Sequence, residues 1–172
     1  MPEGAAPLLI GGAALLLAVA TAHPAAADDP ADAARADPLP PTVFADGTGL
    51  PAGGGTAREG APLYAARCAG CHGAEGEGGR AMELVGDRAL LASDYPDRGI
   101  AVYWPYAPPL FDYVRRAMPP DAPWSLSADE TYAVVARLLE LNALVDAGTV
   151  VDAAFLAALE MPNRDGFDTA PD

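Results

Sequence analysis

The sequence predicts an all-α domain of three to five short helices, preceded by an N-terminal segment that stays outside its core. Three observations carry this. Ser127 and Glu130 form an S-x-x-E capping box, and after it Tyr132, Val135, Ala136 and Leu139 recur at i, i+3, i+4, i+7, with Val134, Leu138 and Leu141 widening the stripe. No stretch alternates apolar and polar residues over the length of a strand. From His23 to about Thr56 the chain is Ala, Pro, Asp and Gly with few apolar side chains, closing on Gly53-Gly54-Gly55, a composition that cannot bury enough surface to offset chain entropy.

Taken from the N-terminus, residues 1–22 read as an export signal. Leu8 to Val19 is a continuous apolar run followed by the small-x-small triplet Ala20-Thr21-Ala22. The run falls short of the roughly 20 apolar residues that span a membrane. Met1 to Pro7 holds Glu3 and no Lys or Arg, so the usual positive n-region is missing, and Ala25-Ala26-Ala27 offers a second cleavage site. Left uncleaved, the segment would tether the protein to the membrane. Residues 23–57 read as an extended or disordered linker and 58–168 as the folded domain.

Within that domain a short helix is expected near Pro62 to Arg67, with Leu63 and Tyr64 as its apolar side chains. Gly73 to Gly79 is a glycine-rich acidic loop, and Gly86 to Gly99 is polar and turn-like. Tyr103-Trp104-Pro105-Tyr106 is aromatic, and its proline excludes a long helix. Leu110 to Ala117, after Pro108-Pro109, places Leu110, Phe111 and Val114 at core-facing spacing. The long helix opened by Ser127 should end near Asn142, and a last helix, Asp152 to Leu159, is stopped by Pro162.

The chain has 172 residues, enough for one domain, and its net charge is −14 from ten basic and twenty-four acidic residues. Every basic residue is arginine. A lysine ring, the docking face of small basic redox proteins, therefore cannot form. The acidity argues against nucleic acid or anionic membrane as partners and favours a basic patch on another protein, with Glu75 and Glu77 as candidates for steering.

The two cysteines fall in Cys68-Ala69-Gly70-Cys71-His72. C-x-x-C-H reads as covalent attachment of haem c: the thiols add to the two vinyl groups, and His72 supplies a nitrogen to one face of the iron. A thioredoxin-type redox pair would follow a strand, whereas Glu59 to Arg67 looks helical. A structural zinc site takes four Cys or His ligands, and the chain has two of each, with His23 remote. A disulfide between residues this close would leave His72 without a purpose. Export and haem attachment agree on a compartment outside the cytoplasm, the periplasm.

The second face of such a haem needs a ligand. Met118, ahead of Pro119-Pro120 and between two helices, is the leading candidate, with Met161 as runner-up; Met82 lies too close to His72 to cross to the other side. His/Met ligation saturates the iron and raises its potential, the property of an electron carrier and not of an enzyme. Arg115 and Arg116 are candidates to neutralise a propionate, and Trp104 and Tyr106 to pack on the porphyrin edge.

Several runs together resemble a family. They are Tyr103-Trp104-Pro105-Tyr106-Ala107, Leu110-Phe111-Asp112-Tyr113-Val114-Arg115-Arg116-Ala117-Met118-Pro119, Ser125-Leu126-Ser127-x-Asp129-Glu130-x-Tyr132-Ala133-Val134, and Met161-Pro162-Asn163-Arg164-Asp165-Gly166-Phe167. They resemble the cytochrome c subunit of periplasmic sulfite or sulfur dehydrogenases, from about Tyr64 to Phe167. The resemblance implies a class I cytochrome c fold with Met118 as distal ligand; the longer cytochromes of the family carry a second haem domain, whereas this chain has one C-x-x-C-H and so one expected haem. It also implies a molybdenum-cofactor oxidoreductase subunit as electron donor, a downstream redox protein as acceptor, and no membrane insertion of the mature domain. Where the family often has P-x-L-x-G, whose proline carbonyl holds the proximal histidine, this chain has Met82-Glu83-Leu84-Val85-Gly86, and a backbone carbonyl can serve without the proline. A free-standing periplasmic shuttle and a ligand-binding haem with open iron are the alternatives.

Overall fold

The computed structural model describes residues 40–167; the export signal and the first part of the linker lie outside the described residues. Helix α1 spans Ala57–Arg67 and runs into a four-residue turn of helix, α2, Ala69–His72. A 3-10 turn at Arg88–Leu90 and the short α3, Ile100–Tyr103, lead to α4, Ala107–Ala117. Helix α5 spans Ala128–Leu141 and α6 spans Ala153–Ala158. Two residues of strand β1, Gly54–Gly55, pair antiparallel with β2, Val151–Asp152, with Gly55 opposite Val151.

The ends of these elements follow from local chemistry. Thr56 caps α1: its hydroxyl accepts from the Glu59 N–H, while the Glu59 carboxylate accepts from the Thr56 N–H at 2.8 Å. Ser127 and Glu130 cap α5 in the same way. Pro108 and Pro109 lie in the first turn of α4, where their missing N–H groups have no helical acceptor to satisfy. Pro62 sits within α1 and removes one bond of its ladder without ending it.

The frame that positions the site is the crossing of α1 over α5. At Gly60 a Cβ would collide with the Ala133 carbonyl, so the two backbones touch because no side chain intervenes. Beside this crossing Tyr64, Leu110, Phe111, Tyr132, Val135, Leu139 and Leu156 are fully buried, and the Phe111 and Tyr132 rings lie 4.4 Å apart. The Tyr132 hydroxyl donates to the Pro51 carbonyl at 2.8 Å, so this large buried ring leaves no polar atom unpaired.

The all-α class and the boundaries of α5 and α6 agree with expectation. Three details differ. Six α-helices stand among the described residues, because Ala69–His72 and Ile100–Tyr103 are helical turns too short to show periodicity. Helix α1 starts at Ala57 and not at Pro62, since the Thr56 capping box sets its first turn. Residues 40–56, read as linker, pack on the helices: Val43 is buried, Arg116 donates to the Pro40 and Pro41 carbonyls, and Gly54 N–H reaches Asp129. Apart from that of Val43, these contacts run through backbone polar groups, which a count of apolar side chains does not register. Among the described residues no helix is long and apolar enough to cross a membrane.

Candidate functional site

The site begins where α1 stops. The Cys68 N–H closes the last turn of α1 on the Tyr64 carbonyl at 2.8 Å, and the Cys68 carbonyl then accepts from both Cys71 and His72 N–H groups, at 3.1 and 3.0 Å. This tight turn carries two half-buried, unjoined thiols and the imidazole on one short piece of backbone. Burial pushes the Cys68 thiol pKa up, only partly opposed by Arg67. A redox-active C-x-x-C needs the opposite shift, toward thiolate. Among the described residues no three His, Cys, Asp or Glu side chains gather as a metal cluster would require.

The glycine-rich loop folds back under the histidine. Gly78 N–H donates to the His72 carbonyl at 2.7 Å and Ala81 N–H to the Cys71 carbonyl at 2.9 Å. Gly76 has φ +78°, which a side chain would strain, and its carbonyl accepts from Leu84 and Val85 N–H at 2.8 and 3.2 Å. The buried Tyr64 hydroxyl donates to the Gly73 carbonyl at 2.9 Å, and burial pushes its pKa up to about 12. Together these bonds bring the Met82 carbonyl to 2.7 Å from His72 Nδ1. A carbonyl can only accept, so Nδ1 carries the proton and Nε2 is left as the donor toward a metal.

Glu75 and Glu77, the candidates for steering, are both exposed, and each also has a partner within the chain. Glu75 pairs with Arg137 of α5 at 3.1 Å. The Glu77 carboxylate accepts from the Glu75 N–H at 2.8 Å and is held below its usual pKa by its own amide first and then by that of Glu75.

The methionines separate clearly. Met82 turns its side chain outward, 62% exposed, and contributes its carbonyl. Met161 is buried at 3% within the main apolar cluster. Met118 stands at the C-cap of α4 in extended backbone, half-buried on the margin of that same cluster, where Cys68, Ala69 and Trp104 also lie. Trp104 meets Tyr113 edge-on at 5.7 Å, and Tyr106 lies under the Arg164 guanidinium at 4.4 Å.

The arginine pair divides in the same way. Arg116 is paired within the chain: its Nε lies 2.8 Å from both Asp112 oxygens and its Nη2 meets the Pro40 and Pro41 carbonyls. Arg115 has a buried Nε with no partner. An orphaned guanidinium N–H is costly unless an anion meets it, and a haem carboxylate is such an anion. The donor set therefore fits a covalent haem: two thiols on one turn, an imidazole with its second nitrogen fixed, a thioether on the core margin and the buried Arg115 Nε, which shares its lack of a partner with the Arg137 Nε. Asn142 and Arg137, which brace this site from α5, were not singled out by the sequence.

Comparisons with known proteins agree with this geometry. The family model described as Cytochrome c matches residues 57–142. The crystal structure of the sulfane dehydrogenase SoxCD from Paracoccus pantotrophus contains a chain that superimposes with a TM-score of 0.70 at 39% sequence identity. The match covers 76% of this chain and 64% of that one, so this chain spans less than two thirds of its length. No curated protein matches.

Proposed function

The chain belongs to the cytochrome c family, and from that premise we propose that it is the single-haem electron-carrying subunit of a periplasmic sulfite or sulfane-sulfur dehydrogenase. Its electrons would come one at a time from a molybdenum-cofactor subunit and pass to a downstream redox protein. The observation that carries this reading is the likeness, over three quarters of the chain, to a chain of a sulfane dehydrogenase.

In this reading Cys68 and Cys71 bind the haem covalently, His72 is the proximal ligand and Met118 the distal one. When bound, the haem supplies a one-electron iron couple. The chain's own residues do the rest. The Met82 carbonyl fixes the tautomer of His72 and raises its basicity. The extended backbone at Met118, set by the end of α4 and the following Pro119, holds the thioether at the core margin. Met161, already packed in the core, keeps a structural role. Arg115 would meet a propionate through the Nε that has no protein partner, and Trp104 would pack beside the cofactor.

Affinity purification of the tagged protein from its native cells, followed by metal analysis, tests the partner. Molybdenum and a second polypeptide should co-elute, and the haem should be reduced when sulfite or a sulfane-sulfur donor is added. Elution of the cytochrome alone, reducible only by small reductants, would mean a free-standing electron shuttle.

A further inference from the structure

Asn142 is a buried polar residue, 6% exposed, at the end of α5. Its Nδ2 donates to the Leu138 carbonyl at 2.8 Å and to the Leu84 carbonyl at 3.1 Å, and its Oδ1 accepts from the Gly86 N–H at 3.1 Å. The partners fix the amide's orientation, since two carbonyls can only accept and an N–H can only donate. Only the Leu138 bond concerns the helix end. The other two reach back 58 and 56 residues to the turn that follows Met82. An asparagine needed merely to stop α5 would work in water, and stopping the helix does not require a grip on a distant loop.

That turn has two anchors. On one side the Gly76 carbonyl takes the Leu84 and Val85 N–H groups; on the other the Asn142 amide takes the Leu84 carbonyl and the Gly86 N–H. Met82, immediately before it, directs its carbonyl at His72 Nδ1 at 2.7 Å. We propose that Asn142 is a positioning residue for the proximal ligand: by clamping the backbone at Leu84 and Gly86 it holds the Met82 carbonyl on His72 and so sets the donor strength of the imidazole. The proposal rests on His72 being the proximal ligand. A shorter, better-fixed Nδ1–H bond makes the imidazole a stronger donor and favours the ferric state; releasing the clamp therefore raises the reduction potential.

The test is made on the holoprotein with Asn142→Leu, which is neutral and of similar size, and Asn142→Ser, which is milder and serves if the first does not fold. Solvent exchange of the His72 Nδ1–H is followed by NMR in the ferrous form, and the midpoint potential is measured at fixed pH. Loss of the clamp should speed exchange about fivefold, as for one net hydrogen bond, and move the potential upward, with the low-spin visible spectrum retained. Asn163→Ser, which removes another buried amide bond, to the Tyr103 carbonyl, should lower thermal stability and move neither readout. If the Asn142 variants lose only thermal stability, Asn142 is a helix stop and the proposal is overturned. If the native holoprotein shows no haem-shifted His72 resonances, the proximal-ligand reading falls and takes this proposal with it.

Discussion

Gly60→Ala separates the structural argument from simple helix propensity, because the two predict opposite signs. Alanine in a helix interior is worth about 1 kcal/mol over glycine. Against this, the added methyl group at Gly60 would collide with the Ala133 carbonyl of α5, a backbone atom that cannot rotate aside. Separating two packed helices by a methyl group costs about 1–3 kcal/mol, and the upper value applies where backbone and not side chain must move. The balance is a loss of about 2 kcal/mol, which lowers a urea midpoint by about 1 M at a slope of about 2 kcal/mol/M. Urea unfolding of the holoprotein, followed by far-UV circular dichroism, reads it directly. Ala65→Gly, on the exposed side of the same helix, should also lose about 1 kcal/mol, by propensity alone. Opposite substitutions on one helix then destabilise alike. A Gly60→Ala protein as stable as the native one, or more so, would refute the close crossing.

Three further outcomes follow. Cys68→Ser or Cys71→Ser should sharply lower the yield of folded holoprotein, since binding free energy at such a centre is folding free energy; protease-resistant protein recovered without haem would contradict this. Glu59 is held below its usual pKa mainly by the Thr56 hydroxyl, and Glu130 mainly by the Ser127 backbone N–H. A carboxylate depressed in the folded state adds stability above its unfolded pKa, about 4.3, and loses it as pH falls through the folded value. Stability should accordingly decline below about pH 4.3, and more shallowly in Thr56→Val, which removes the hydroxyl that Glu59 accepts from, than in Ser127→Ala, which keeps the backbone N–H that holds Glu130; an acid profile unchanged in Thr56→Val would count against the first capping box. With a net charge of −14 and no lysine, reduction by the proposed molybdenum-cofactor partner should slow as salt rises, and a stopped-flow rate that stays flat would assign the acidity to solubility.

Much of this was legible in sequence where the signal is local. The Ser127 box and the apolar stripe after it located α5 to within a residue, and Pro162 and Asp152 bounded α6. Thr56-x-x-Glu59 carries the same kind of signal. It was hidden by the glycines before it and by Pro62 after it, both of which read as breakers. What stayed illegible is contact between distant residues. Nothing near Asn142 tells that its amide closes on Leu84 and Gly86. Arg115 and Arg116 are neighbours with the same chemistry, and they differ only because Asp112 and the 40–41 carbonyls reach one and not the other. The acidic loop residues Glu75 and Glu77 stay exposed as expected, and the sequence did not show that each also has an intramolecular partner.

The central claim is the pair of axial ligands, because it makes this chain an electron carrier and not a ligand binder. The near-infrared methionine–iron charge-transfer band of the ferric holoprotein tests it most directly. The band should be present in the native protein and in Met161→Ala, and absent in Met118→Ala while the haem remains covalently bound. A band that survives Met118→Ala and vanishes in Met161→Ala would contradict the assignment, and a native ferric protein with no such band would contradict His/Met ligation altogether.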